Sequence, residues 1–222
     1  NSKIKQITKN HSIFIANEFL DSIALKQFNK KENLWFEKFV SFKKKEKAFF
    51  FEKKFNIKKL EKKVRFEISK NQNFIEYSEL GIKYLKDIGK VIKKNTGGML
   101  LFDYGYFDYK MKNTLQGVSK HKFSNILENI GKVDITHNIN FMLFKKIINQ
   151  LGSLNNNLTT QKEFLVKMGI KQRAEIISKN ENFLKKIDIS YRLKRLIDER
   201  QMGNLFKVMF IKNKNIKFKL GF

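Results

Sequence analysis

The stretch Ser12–Ser22, S-I-F-I-A-N-E-F-L-D-S, constrains the fold more than any other part of the chain. Ile13, Phe14, Ile15 and Ala16 form an unbroken apolar run, the pattern of a central strand in a parallel sheet buried on both faces. Polarity begins abruptly at Asn17 and Glu18, and Asp21 follows three residues later. In open α/β sheets the ligand crevice lies beyond the carboxyl ends of the strands, which makes Asn17, Glu18 and Asp21 the first candidate site residues. The same letters also fit a strand that simply ends in a solvated turn.

A second stretch repeats the pattern. Ser78–Lys94 predicts a helix, with Ser78 as its cap, Glu79 in the first turn and Leu85, Ile88, Val91 and Ile92 on one apolar face. Gly97-Gly98 stop it, and Met99-Leu100-Leu101-Phe102 follow as another buried strand that closes on Asp103, Tyr104 and Tyr106. Helix, glycine turn, apolar strand and polar strand end make an α/β repeat. Two parallel strands are therefore expected to aim Asn17-Glu18 and Asp103-Tyr104 at one rim.

Between these stretches, Leu25–Phe28, Leu34–Phe42 and Ala48–Phe51 read as a β-meander, with a further strand over Val64–Ile68. The expected organisation is one α/β domain over residues 1–24 and 64–222, with the meander, 25–63, inserted. Tyr106–Thr136 is a long connection that carries His121, a rim candidate; long loops over an α/β rim are functional or disordered. Asn140–Leu151 predicts a second helix, Thr159–Val166 a strand and Ile170–Ser178 a short helix. Asn182–Glu199 reads as helical with a break near Ile189-Ser190. Leu205–Ile211 is the last strand, and Lys212–Phe222 a basic tail.

Composition removes several classes. The 222 residues include no cysteine, so disulfides and thiolate metal sites are excluded. His11, His121 and His137 lack ligand spacing, and no metal is expected. No apolar stretch is long enough to span a membrane. Asn1 stands where an initiator methionine would, so a targeting segment is not legible. The formal net charge of +26 points toward polyanions, yet lysine far outnumbers arginine and proline is absent. A dedicated nucleic-acid reader uses arginine for bidentate contacts, so the charge reads as a solvated lysine surface with salt-sensitive affinity rather than a specific nucleic-acid site.

The letters also resemble a known family. A-N-E-F-L-D at 16–21 with Gln27-Phe28, G-G-M-L-L-F-D-Y-G-Y at 97–106 and T-L-Q at 114–116 are similar to the MidA family of S-adenosylmethionine-dependent methyltransferases. His121, D-I-T at 134–136, Asn140-Phe141, E-F-L-V-K-M-G-I at 163–170, Arg173-Ala174 and M-G-N-L-F-K-V at 202–208 continue the likeness in order. The resemblance implies a class I methyltransferase fold, a Rossmann-like sheet of seven strands whose last is antiparallel. Ser12–Asn17 would be its fourth strand and Met99–Phe102 its fifth, with Thr159–Val166 and Leu205–Ile211 as the sixth and seventh. The expected class is thus α/β, a partial Rossmann-like sheet of strands four to seven with an inserted meander. The family's glycine-rich cofactor loop has no counterpart, since no G-x-G occurs in the chain, which resembles the family's C-terminal part. Asn113 departs from the family's usual aspartate, and Ala24 from its proline.

The resemblance further implies S-adenosyl-L-methionine as cofactor and an arginine on a protein as acceptor, after the mitochondrial member that assists assembly of respiratory complex I. Location would be the cytoplasm in a bacterium or the mitochondrial matrix in a eukaryote. A guanidinium suits carboxylate partners. Glu18 is the expected clamp and Asp21 its assistant, converging at i and i+3 if the segment turns helically. Asn17 would lie nearest the cofactor, with Asp103, Tyr104, Tyr106 and His121 around the rim. A non-catalytic assembly or binding protein and a basic nucleic-acid-binding module remain the other two classes.

Overall fold

The computed structural model describes residues 11–43, 47–119, 122–128, 130–218 and 221–222. In chain order the elements are β1 (Ser12–Asn17), β2 (Lys26–Lys31), β3 (Leu34–Lys43), β4 (Lys47–Phe55), α1 (Ile57–Val64), β5 (Phe74–Tyr77), α2 (Glu79–Asn95), β6 (Gly97–Tyr106), β7 (Gln116–Ser119), β8 (Lys122–Ser124) and β9 (Asp134–Thr136). They continue with β10 (Ile139–Asn140), α3 (Phe141–Asn149), β11 (Leu154–Thr160), α4 (Gln161–Lys167), α5 (Ile170–Ser178), α6 (Phe183–Ile197), α7 (Met202–Leu205) and β12 (Phe206–Asn213). Two compact units emerge. One takes the described residues up to Phe19 with Leu85–Phe107 and Phe141–Phe222; the other takes Leu20–Tyr84 and Asp108–Asn140.

The first unit is built on strands in the order β1-β6-β12-β11. β1 pairs with β6 in parallel, and β12 runs antiparallel to both β6 and β11. That is the order and polarity of strands four, five, seven and six in a class I methyltransferase. Met99 and Leu101 of β6 and Val208, Met209 and Ile211 of β12 are fully buried, as are Leu85 and Ile92 of α2 and Ile147 and Ile148 of α3. Close packing of α2 needs Gly89, where a Cβ would come within 2.6 Å of Leu151 Cδ1.

Three expectations are corrected here. The sixth strand occupies Leu154–Thr160 rather than Thr159–Val166, because a capping box starts α4 at once. The Thr160 hydroxyl accepts from Glu163 N–H at 3.2 Å and the Glu163 carboxylate accepts from Thr160 N–H at 3.5 Å. α6 runs unbroken through Ile189-Ser190, capped by Asn182, whose side chain accepts from Lys185 N–H at 3.0 Å. β1 is not covered on both sides: Ile13 is 81% and Ile15 74% exposed, while Phe14 and Ala16 on the other face are half-buried. Its outer edge pairs with no described strand. An apolar run records that a strand needs cover on both faces, not which part of a fold supplies it.

The second unit contains the meander, with sheet order β4-β3-β2-β5. Glu32 and Asn33 join β2 to β3 with φ of 48° and 67°, the left-handed pair of a tight hairpin. The strand expected over Val64–Ile68 is absent. Asn56 caps α1 instead, accepting from Lys58 N–H at 3.0 Å, and Arg65 closes that helix in the left-handed region at φ 64°. β5 takes the place on the sheet, and the long connection folds into a small sheet β8-β7-β9.

A buried glutamate ties this unit together. Glu76 of β5 accepts from Gln27 Nε2 at 2.8 Å, Thr114 N at 2.9 Å, Leu115 N at 3.2 Å and Thr114 Oγ1 at 2.6 Å. Gln27 Nε2 also donates to Asn113 Oδ1 at 2.9 Å. Donors fill both carboxylate oxygens, the condition under which a buried acid is tolerated. Gln27 and Thr114, two residues that carry the family likeness, therefore serve the fold.

Candidate active site

The site follows from strand polarity in the first unit. The β1–β6 register runs from Ser12↔Gly97 to Asn17↔Phe102, so the two carboxyl ends finish at the same edge. Glu18 N–H donates to Phe102 C=O at 3.0 Å, which carries the ladder one residue beyond Asn17. β11 shares the direction of β6, both being antiparallel to β12, so Thr160 ends on this edge too. Lys207, near the start of β12, is the register partner of both Asp103 and Thr160. In sheets of this kind that edge is the ligand crevice.

Asn17 and Glu18 are both exposed, with Asn17 Nδ2 donating to Glu18 Oε1 at 3.3 Å. Glu18 adopts φ 48°, a left-handed conformation that costs a non-glycine residue about 1 kcal/mol. This conformation, a bend at Leu20 and a turn at Asp21-Ser22 stand where a helical turn was the condition for Glu18 and Asp21 to converge at i and i+3, and that condition is not met. The reason is local: the bond to Phe102 holds Glu18 in the parallel ladder, and Ile23 N–H closes on Leu20 C=O at 3.2 Å.

Deeper in the first unit, Asp103 is completely buried and its carboxylate accepts from Tyr104 N–H at 3.0 Å. The Tyr104 ring packs on Phe206, with centroids 4.1 Å apart, and Tyr106 is half-buried. Lys207 is buried; its ammonium donates to the Asn204 side-chain oxygen at 3.0 Å and to the Asn204 carbonyl, and lies 5.4 Å from the centre of the Phe107 ring. Burial pulls the Lys207 pKa down, while the charge of Glu163 opposes the shift. Sequence reasoning overlooked this lysine. Its signal was a lone cation inside the apolar run F-K-V-M-F-I, which a strand buries only if the charge has partners.

Asp21 lies in the second unit, buried, and its carbonyl accepts from His137 N–H at 3.1 Å. His137 Nε2 is 3.0 Å from the Ile23 carbonyl oxygen, which fixes that nitrogen as the protonated one. His121 lies outside the described residues. Among the described residues, no three His, Cys, Asp or Glu side chains gather as a metal ion requires, and no helix is long and apolar enough to cross a membrane.

Comparison with known proteins adds independent information. A family model described as "Putative S-adenosyl-L-methionine-dependent methyltransferase" matches residues 2–159. The chain is 24% identical over 215 residues to protein arginine methyltransferase NDUFAF7, mitochondrial, of Danio rerio, covering 95% of this chain and 49% of that protein. The Caenorhabditis elegans homolog is 24% identical over 173 residues, 77% of this chain and 40% of its own length. The chain thus spans about half the length of the curated relatives it matches. Among solved structures, an uncharacterized protein from Burkholderia thailandensis superposes with a TM-score of 0.80 at 19% identity, covering 96% of this chain and 58% of that one. A second structure, of a Burkholderia thailandensis protein of the same superfamily bound to S-adenosyl-homocysteine, gives a TM-score of 0.76 at 20% identity, covering 96% and 56%.

Proposed function

The chain belongs to the MidA-like family of S-adenosyl-L-methionine-dependent methyltransferases, and on that footing we propose that it forms the acceptor side of an enzyme that methylates arginine on a protein. The observation that carries this reading is the parallel β1–β6 pair, which ends with Asn17 and Glu18 on the same edge as Tyr104. The curated relatives are named as protein arginine methyltransferases of the mitochondrion, and one fold relative holds S-adenosyl-homocysteine.

The exposed edge fits one wall of an S-adenosylmethionine site. Asn17 offers an amide donor and an acceptor there, the mixed polarity that a nucleoside or amino-acid group accepts. The chain has no G-x-G turn, so the remaining cofactor contacts are not assigned to it. S-adenosylmethionine supplies, when bound, a methyl group carried on a sulfonium.

Glu18 binds the acceptor guanidinium, and its charge concentrates the positive charge on the nitrogens it holds. The far nitrogen is left more nucleophilic and in line for transfer. After transfer, the proton that the methylated nitrogen gives up is released to solvent at the exposed edge. Tyr104 and Tyr106 wall the rim and exclude water; Asp103 and Lys207 brace it from within. Asp21 orders the segment after β1 through its carbonyl bond to His137. The substrate on this reading is a protein, in its finer form a subunit of respiratory complex I. The matching compartment is the matrix in a eukaryote or the cytoplasm in a bacterium.

The acceptor class is tested by comparing protein methylation in cells with and without the gene. Mass spectrometry is expected to find methylarginine lost from one protein, or very few, when the gene is removed. Loss confined to methyl-lysine, or no change in any protein methyl mark, would contradict the assignment.

A further inference from the structure

Neither α5 nor α6 buries a single residue, yet both are rich in large apolar side chains. α6 carries two apolar stripes. Ile189 and Leu193 face the groove shared with Ala174 of α5. Leu184, Ile187 and Tyr191, spaced i, i+3 and i+7, form an outward stripe with Phe183 at its margin, and these four are 50–76% exposed.

The border of the outward stripe is cationic. Lys194 and Arg195 continue it one turn beyond Tyr191, and Lys185 and Arg192 lie along its side. Asp188, the only acid of the helix, is paired with Arg192 Nε at 2.9 Å, and Glu181, just before the helix, is paired with Lys185 at 3.0 Å, so Lys194 and Arg195 are the border cations with no acid paired to them among the described residues. We propose that this outward face of α6 lies on an anionic membrane surface, its apolar stripe sunk at the headgroup boundary and its cations among the phosphates. This inference stands apart from the methyltransferase reading.

Charge chooses the occupant. A second copy of this chain would bring the same cations against one another on a molecule that already carries +26. A protein partner needs a groove shaped to a convex helix, whereas a lipid interface needs only an apolar stripe bordered by lysine and arginine. Tyrosine, with an apolar ring and a polar tip, suits that depth.

Vesicle sedimentation of the chain at physiological salt tests the idea, since salt weakens adsorption by scattered surface lysines. Binding is expected to phosphatidylcholine vesicles that contain phosphatidylglycerol, and not to phosphatidylcholine alone. Leu184→Ser with Ile187→Ser removes no charge and is expected to weaken binding about tenfold or more. Lys194→Gln with Arg195→Gln is expected to do the same, again by about tenfold. All four side chains are exposed, so the unfolding midpoints should match the parent; a variant whose midpoint falls is replaced by Phe183→Ser. Unchanged binding by the Leu184/Ile187 pair would reduce the effect to charge alone and overturn the proposal. So would equal binding to neutral vesicles, or a loss seen only against a protein partner.

Discussion

Glu18→Gln is expected to lower methyl transfer by about 100-fold or more while leaving cofactor affinity within about twofold of the parent. The substitution, made at the native locus so that the protein carries its whole natural chain, changes almost nothing but charge. Glutamine has the same length and can keep its side-chain oxygen toward Asn17 Nδ2. Its amide, however, turns two hydrogen-bond donors toward a guanidinium that is itself all donors, so one of the two guanidinium nitrogens that Glu18 holds loses its acceptor. Charge localisation on the guanidinium is lost with the carboxylate charge. Glu18→Gly separates strain from chemistry. Glycine accepts φ 48° freely, so that variant should gain about 1 kcal/mol of stability and still lose turnover. Full activity in Glu18→Gln would remove the clamp.

Gly97→Ala is expected to cost about 3–5 kcal/mol and to release β1 from the sheet. Gly97 opens β6 at φ 107°, a conformation closed to other residues, and it faces Ser12, its register partner. A Cβ built there would stand 2.0 Å from the Ser12 carbonyl oxygen, 2.8 Å from its nitrogen and 2.9 Å from its carbonyl carbon. All three are backbone atoms of β1, so no side chain can swing aside to make room. Gly152 provides the contrast: at φ 62° with nothing within 4 Å, its alanine variant should lose only about 1 kcal/mol, the backbone cost alone. Urea denaturation of both variants measures the difference. Equal midpoints would mean that β1 is not held at Gly97. Because Asn17 and Glu18 hang from β1, Gly97→Ala should also abolish activity without touching the site.

What the sequence made legible follows the strength of local signals. β1 and β6 were readable because apolar runs switch to polar residues at one point, and that switch falls near the shared strand edge. α2 and α3 were readable because their apolar faces recur at helical spacing. The end of α2 was readable because glycine follows it. β11 was displaced because L-N-N-N-L-T-T lacks apolar alternation, whereas the T-x-x-E box at Thr160 and Glu163, which sets the true boundary, was there to be read. The strand placed over Val64–Ile68 failed because only the tertiary context decides that α1 extends to Val64 while Phe74–Tyr77 completes the sheet.

The site divides along the same line. That Asn17 and Glu18 end on the same edge as Tyr104 was legible from chain order alone, because parallel strands share a rim. The expected pairing of Glu18 with Asp21 assumed a helical turn, and a backbone bond to Phe102 redirects the chain before that turn can form. Lys207 needed the fold: its meaning lies in being buried opposite Asp103, and no spacing in the sequence announces a register across strands.

Hydrogen exchange on the protein purified from its native cells, with and without S-adenosylhomocysteine, tests the rim most directly. The account predicts slowed exchange at the amides of Ile15 through Phe19 and of Phe102 through Tyr106 when the nucleoside is bound. Bound nucleoside with those amides unchanged would contradict it.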